Sequence, residues 1–383
     1  MSKRKKVCII VSSGEKTMKW FLLDHIRALS YKYDVTVMAN TSNFDFIDPM
    51  DIKVNTLSNY IERKISIVKD IKALLHLLQV FSQYKFDVVH SVTPKAGLLA
   101  MMAAAFTQVP IRIHTFTGQI WVTRSGLSRQ IFKNLDKVIA FCSSNILVDS
   151  LSQQHFLITE NVVKPNQSMV LGKGSISGVD TLRFSPNKSV RSEIRNNLKI
   201  AESTTVFLFL GRLTRDKGIL DLVQAFVKLC QIREEVHLLI VGPDEEEILP
   251  AIKQQYETFS HKITFVDYTN VPEHYMAASD ILCLPSYREG FGSVIIEAAA
   301  VGLPAIGSKI YGITDAIEEN ITGLLHEPAD VESLFEKMLQ LTDDISLREQ
   351  MADNAHKRAI EEFPKEKITN ALVDYYESLV SNL

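Results

Sequence analysis

Apolar residues along this chain form two patterns: short unbroken runs, and longer stretches in which they return every three or four positions. The runs, such as Val7–Val11 and Ile281–Leu284, contain no polar residue, as expected of strands buried on both faces of a parallel sheet. Strands are predicted in this way at 7–11, 35–37, 52–54, 88–90, 111–114 and 138–141, and again at 206–210, 238–241, 263–266 and 281–284. Helical patterns separate them. The clearest are 65–82 and 95–106, together with a helix after Ser12–Lys16 built on Met18, Phe21, Leu22, Ile26 and Leu29, and helical periodicity from Asp330 to the end. Alternating strand and helix predict an α/β protein with doubly wound parallel sheets, and the scheme occurs twice. Ile65–Leu78 is apolar over one broad face with lysines on the other, which reads as a helix packed on its sheet in preference to one lying on a membrane. Ala96–Phe106 is nearly all apolar, but its eleven residues are too few to cross a bilayer.

The densest chemistry follows the run Ile281–Leu284, in Arg288-Glu289-Gly290-Phe291-Gly292-Ser293-Val294-Ile295-Ile296-Glu297-Ala298. Ser293 is placed as the N-cap of a helix through Val301, with Gly302 at its C′ position and Pro304 beyond. Gly290 and Gly292 let backbone approach a ligand, and the amides that open a helix favour a phosphate. Glu297 lies four residues into the helix, one too far for a capping box, so its carboxylate is left for hydroxyl groups. Glu289, at the mouth of the loop, offers two acceptor oxygens and no donor. Two carboxylates around an anion cradle suggest a nucleotide sugar. A second landmark is Gly211-Arg212-Leu213-Thr214-Arg215-Asp216-Lys217-Gly218, where a guanidinium fork and an ammonium can neutralise a diphosphate leaving group without a metal.

At 383 residues the chain is long enough for two domains of similar size. Its net charge of −3 conceals an asymmetry: residues 1–180 hold 22 Lys and Arg against 13 Asp and Glu, about +9, and the remainder 20 against 32, about −12. A basic half points to an anionic partner, with nucleic acid and the inner leaflet both candidates. Cys8, Cys142, Cys230 and Cys283 are widely spaced and read as reduced core residues of a cytoplasmic protein. The apolar run after Lys3–Lys6 ends by Val11, too soon for a signal peptide or a span. The first loop lacks the three spaced glycines of a dinucleotide fingerprint, and no His-Glu-x-x-His, Asp-x-Asp or serine elbow occurs, so no metal or cofactor is expected. Gly172–Gly178 reads as the inter-domain connection and Glu245–Glu247 as the first turn of a helix.

Glu289 and Glu297, with Gly290-Phe291-Gly292 between them, resemble the Glu-x7-Glu signature of the retaining glycosyltransferases of family 4. Gly211–Gly218 is similar to that family's Gly-Arg-Leu-x-x-x-Lys-Gly element, and Gly178-Val179-Asp180-Thr181-Leu182-Arg183-Phe184 to the Gly-Val-Asp-x-x-x-Phe element that opens its second domain. The resemblance implies a GT-B architecture, two Rossmann-like doubly wound domains facing across a cleft: 1–183 for the acceptor, 184–365 for the nucleotide sugar, and 366–383 packing back on the first. It implies transfer of a sugar from a nucleoside diphosphate, UDP-hexose or UDP-N-acetylhexosamine, with retention of configuration. Glu289, Arg212 and Lys217 would be the catalytic groups. Phe291, Gly292, Ser293, Val294, Glu297 and Val271 would hold the donor. Thr117 stands where many members have a donor-contacting histidine; His114, three residues earlier, either takes that contact or packs in the core. Gly14, Lys16 and Arg124 would meet the acceptor, an undecaprenyl-diphosphate-linked sugar of bacterial O-antigen, capsule or glycan assembly. Lys3–Lys6, Arg129 and Lys133 would favour an anionic membrane surface, giving a peripheral enzyme on the cytoplasmic face of the inner membrane, with no nucleic acid partner. The alternatives are a sugar-nucleotide epimerase of the same architecture and a non-catalytic protein that binds anionic ligands.

Overall fold

The computed structural model describes residues 4–12, 17–47, 52–255 and 257–383, so Gly14 and Lys16 lie outside the described residues. The chain divides into two compact units, Met1–Ser177 with Lys365–Leu383, and Gly178–Pro364.

Each unit is a parallel sheet covered by helices on both faces, the two-domain α/β arrangement called GT-B. In the first, β1 (Lys6–Val11), β2 (Asp34–Ala39), β3 (Asn55–Ser58), β4 (Val88–Val92), β5 (Ile111–Phe116), β6 (Asn145–Val148) and β7 (Ser168–Val170) lie in the order β3-β2-β1-β4-β5-β6-β7. The central strands are apolar throughout because helices cover both sides. Helices 67–84, 94–106 and 126–142 supply one face through Leu77, Val80, Phe81, Ala100, Ala104 and Ile139. Leu23–Lys32 and the last helix, Lys365–Val380, supply the other through Ile26, Leu29, Leu372 and Tyr376.

In the second unit, β8 (Thr205–Leu210), β9 (Val236–Val241), β10 (Ile263–Val266), β11 (Ile281–Leu284), β12 (Ala305–Ser308) and β13 (Gly323–His326) run β10-β9-β8-β11-β12-β13. Helices Ile219–Cys230 and Val331–Asp343 pack on one face, and Ser293–Val301 with the helix from Ile345 to Glu362 on the other. Asp330 begins the C-terminal helices by accepting hydrogen bonds from the Glu332 and Ser333 amides.

Four local expectations are corrected. Residues 138–141 are the end of the helix Gly126–Cys142, with Ile139 and Ala140 turned inward and Val138 and Phe141 exposed; an apolar quartet at a helix end imitates a buried strand. The strand expected at 52–54 lies instead at Asn55–Ser58, an edge strand paired with Thr36–Ala39 and marked by no apolar run. Glu245–Glu247 precede their helix, which starts at Leu249; Asp244 accepts from the Ile248 and Leu249 amides. Ser293 is the first helical residue, and Gly292, at φ +85°, occupies the N-cap position. Strands β6, β7, β12 and β13 lacked a sequence signal, because they are short and carry Asn, Ser, Gly or His.

Candidate active site

In the second sheet the strand order reverses direction between β8 and β11. Loops leaving those two carboxyl ends diverge to opposite faces and open a crevice, the place where open α/β sheets bind ligands. The loop after β8 is Gly211–Gly218 and the loop after β11 carries Glu289–Gly292. Topology therefore joins two motifs whose key residues, Lys217 and Glu289, stand 72 positions apart in sequence.

Backbone packing fixes the two loops against each other. Gly218 has φ +66°, and a Cβ there would lie 2.0 Å from the Pro285 carbonyl oxygen, so only glycine fits. The Tyr287 amide donates to the Asp216 carbonyl oxygen at 2.8 Å. From behind, Gly312 approaches so closely that its Cβ would stand 2.6 Å from the Gly290 carbonyl oxygen. Gly292 then turns the chain into the helix Ser293–Val301, whose first amides, those of Ser293 and Val294, have no intrahelical acceptor. The Phe291 ring points away from the crevice; it is 2% exposed and packs 5.5 Å from Phe363, so Phe291 offers a ligand only its backbone.

The charged side chains are paired. Lys217 Nζ donates to Glu289 Oε1, which also accepts from Ser286 Oγ at 2.8 Å. Arg288 pairs with Asp216 at 2.7 Å, and Asp216 accepts from Thr214 Oγ1. Arg212 reaches Glu245 at 2.8 Å on the more exposed rim. Glu289 is thus held by the cation of the opposite loop, a pairing the sequence did not indicate. Arg288, Asp216 and Ser286 were assigned no role from the sequence, and Glu245 only a place in a helix first turn; the signal available was that they adjoin Glu289 and Lys217 or form an acidic run.

Glu297 occupies a different corner. Burial pushes its carboxyl up to about 7, opposed by the nearby Arg183 and reinforced by Glu273. Arg183 Nη2 donates to Glu273 at 2.8 Å and to the Asn270 carbonyl oxygen at 2.6 Å, and so ties the helix-start carboxylate to the loop that leads into Val271. Val271, half-turned at φ −125° and ψ 59°, donates its amide to Thr269 Oγ1 at 3.1 Å, while its side chain is exposed. Arg183 sits within the Gly-Val-Asp-x-x-x-Phe element, where it could have been singled out.

The family described as "Glycosyl transferases group 1" matches residues 190–358, which hold both loops and Glu297. The chain is 32% identical over 320 residues to the capsular polysaccharide biosynthesis glycosyltransferase CapM of Staphylococcus aureus, a match spanning 83% of this chain and 84% of that protein. This chain belongs to the group 1 glycosyl transferases. It is also 28% identical to the UDP-Gal:alpha-D-GlcNAc-diphosphoundecaprenol alpha-1,3-galactosyltransferase of Escherichia coli, over 84% of this chain and 82% of that one. Its fold is shared with Anabaena HepE, solved in complex with UDP and glucose, at a TM-score of 0.81 and 19% identity over 98% of this chain and 100% of that one. As a glycosyltransferase it is an enzyme, which sets aside the epimerase and the non-catalytic alternatives.

The first unit of the glycosyltransferase carries the remaining candidates. Thr117 directly follows β5 at its carboxyl edge, ahead of Gly118 at φ +107°. His114 is buried within the strand: Nδ1 meets Ser91 Oγ at 2.8 Å, Gly97 leaves room for its ring, and desolvation holds its pKa down to about 3. It is a core residue. Arg124 is exposed, lies 4.5 Å over the Phe132 ring and donates to Ser128 Oγ. Arg129 and Lys133 both pair with Glu160, which cancels part of the expected basic surface. Lys5 and Lys6 bind Asp87 and the Tyr84 carbonyl oxygen at the amino end of β1, the opposite end of the sheet from the ligand-binding edge. Among the described residues no helix is long and apolar enough to cross a membrane.

Proposed function

We propose that this glycosyltransferase transfers a hexose or N-acetylhexosamine from a UDP-linked donor to a hydroxyl of a lipid-linked sugar diphosphate, with retention of configuration, in the assembly of a bacterial surface polysaccharide. The observation that carries the reading is the meeting of Gly211–Gly218 with Glu289–Glu297 at the switch point of the second sheet. Arg212, Lys217 and the Ser293 and Val294 amides surround one place with cations and unspent donors, which suits a diphosphate. They stabilise it most as the sugar bond breaks and charge builds on the leaving group. The diphosphate competes with Glu289 for Lys217, and the released Glu289 carboxylate then accepts hydroxyls of the donor sugar. Glu297, ionised, accepts the two ribose hydroxyls, and the Val271 backbone lies along the base. No residue is assigned as a covalent nucleophile.

The acceptor side is supported by the S. aureus and E. coli relatives, one a capsular polysaccharide enzyme and the other acting on a diphosphoundecaprenol-linked sugar. On this reading the first unit binds an undecaprenyl-diphosphate-linked acceptor through the loop of Gly14 and Lys16 and through Arg124, at the cytoplasmic face of the membrane. The test is nucleoside-diphosphate release with a panel of nucleotide sugars, each with and without a lipid extract bearing diphosphate-linked sugars. Release that needs one donor and the lipid fraction supports the reading; equal release with every soluble acceptor and no lipid requirement overturns its acceptor half.

A further inference from the structure

The helix Ile67–Tyr84 buries Ala73, Leu77, Val80 and Phe81 against its own sheet, yet it is also apolar on the side that faces water. Ile67 is 75% exposed, Val68 66%, Ile71 53% and Leu75 60%, and Ile65, just before the helix, 70%. At about 100° per residue the four helical side chains fall within an arc of about 100°, a continuous exposed stripe that adjoins the buried face through half-buried Leu74 and Leu78. Single exposed apolar residues are ordinary, but four aliphatic chains in one stripe, with a fifth just ahead of it, are not. Tyr60, 60% exposed and stacked edgewise on His76, adds an exposed aromatic with a polar tip against the middle of the same helix.

The charges around the stripe are predominantly basic. Residues 60–80 carry Arg63, Lys64, Lys69 and Lys72 against Glu62 and Asp70. Both carboxylates are already engaged, Glu62 by Lys69 and Asp70 by Lys95. The helix leaves the carboxyl edge of β3 and runs back toward the start of β4, so its first half, with the stripe, lies at the ligand-binding edge of the first sheet.

We infer that Tyr60, Ile65, Ile67, Val68, Ile71 and Leu75, flanked by Lys64 and Lys72, form the face by which this glycosyltransferase docks on an anionic lipid bilayer. Aliphatic chains enter the headgroup boundary while the flanking ammonium groups meet lipid phosphates, the division of labour of an interfacial helix. A second copy of the chain fits less well, because a two-fold contact would set this basic flank against itself. The inference rests on the reading of the acceptor as lipid-linked, and it assigns the surface that brings the first sheet's edge to that lipid.

The test uses the full chain with vesicles of phosphatidylcholine alone and of phosphatidylcholine with phosphatidylglycerol, read by co-sedimentation. The wild type is expected to bind the phosphatidylglycerol vesicles. The combined Ile67→Ser, Val68→Ser and Ile71→Ser variant is expected to bind at least about tenfold more weakly, and Lys64→Glu with Lys72→Glu to lose the preference for anionic lipid. Thermal unfolding and nucleoside-diphosphate release with a water-soluble acceptor should be unchanged in both. If wild type and variants bind vesicles equally, the docking face lies elsewhere: the inference falls and the membrane-face reading stands. If the wild type binds no vesicle, both fall. A wild-type dimer that the serine variant converts to monomer identifies the stripe as a contact between copies and also overturns the inference.

Discussion

The two sheets share one strand order around their switch points, yet their carboxyl edges are chemically opposite. In the second, β8 and β11 open into glycine-pinned loops where cations and carboxylates face one another: Lys217 with Glu289, Arg288 with Asp216, and Arg183 beside Glu297. In the first, β4 and β5 carry neutral, buried histidines in mid-strand, behind that edge. His90 bonds Tyr376 and Thr115, His114 bonds Ser91, and burial holds both near 3. The same strand order carries paired charged side chains on the loops of one unit and a buried, neutral polar layer within the strands of the other. The fold thus supplies the place and the loops supply the chemistry.

The largest effect that could break this comparison is on turnover. Glu289→Gln should lower kcat about hundredfold or more with little change in nucleoside-diphosphate affinity; equal turnover would remove Glu289 from the chemistry. Lys217→Ala should cost about 3 kcal/mol of transition-state stabilisation. The double variant should fall short of the sum of the two, since the side chains are paired. In the first unit, His114→Ala should lower stability by about 2 kcal/mol through the cavity it leaves and leave nucleotide affinity intact. A loss of donor binding instead would return His114 to the site. Gly218→Ala should cost at least about 1 kcal/mol in urea unfolding, because that φ and the Pro285 carbonyl leave no room for a methyl group.

The smallest and sharpest difference is in pH. A histidine held down to about 3 contributes stability that is complete above its ordinary value of 6.5 and is lost as pH falls from 6.5 toward 3. Glu297, raised to about 7, works in the opposite direction: its contribution is complete below 4.5 and is lost as pH rises from 4.5 to about 7. Urea midpoints across pH should therefore flatten on the acid side in His114→Ala and between pH 4.5 and 7 in Glu297→Gln. Nucleoside-diphosphate affinity should rise through pH 7 in the wild type and be flat in Glu297→Gln.

Much of this was legible in the residues. The central strands declared themselves as apolar runs, and Gly218 and Gly292 stand where the two loops require positive φ. The pairing of Lys217 with Glu289 was not legible, because it depends on β8 and β11 becoming neighbours across 72 residues. That the Phe291 ring is buried was not legible for a related reason: Phe363, which packs beside it, lies far along the chain. The helix at 126–142 hid its end as a strand because apolar residues that face water carry no packing signal. The stripe at Ile67–Leu75 is the same ambiguity in another helix: its sequence shows that apolar residues are present, and only the structure shows which of them are buried.

The most direct test of a nucleotide-sugar site at the carboxyl edge of the second sheet is calorimetric titration of UDP into the wild type, Lys217→Ala and Glu297→Ala. Saturable binding by the wild type, weakened about tenfold or more in each variant with folding intact, is the expected result. Binding that is unchanged in both variants, or no binding by the wild type to UDP or any other nucleoside diphosphate, would contradict it.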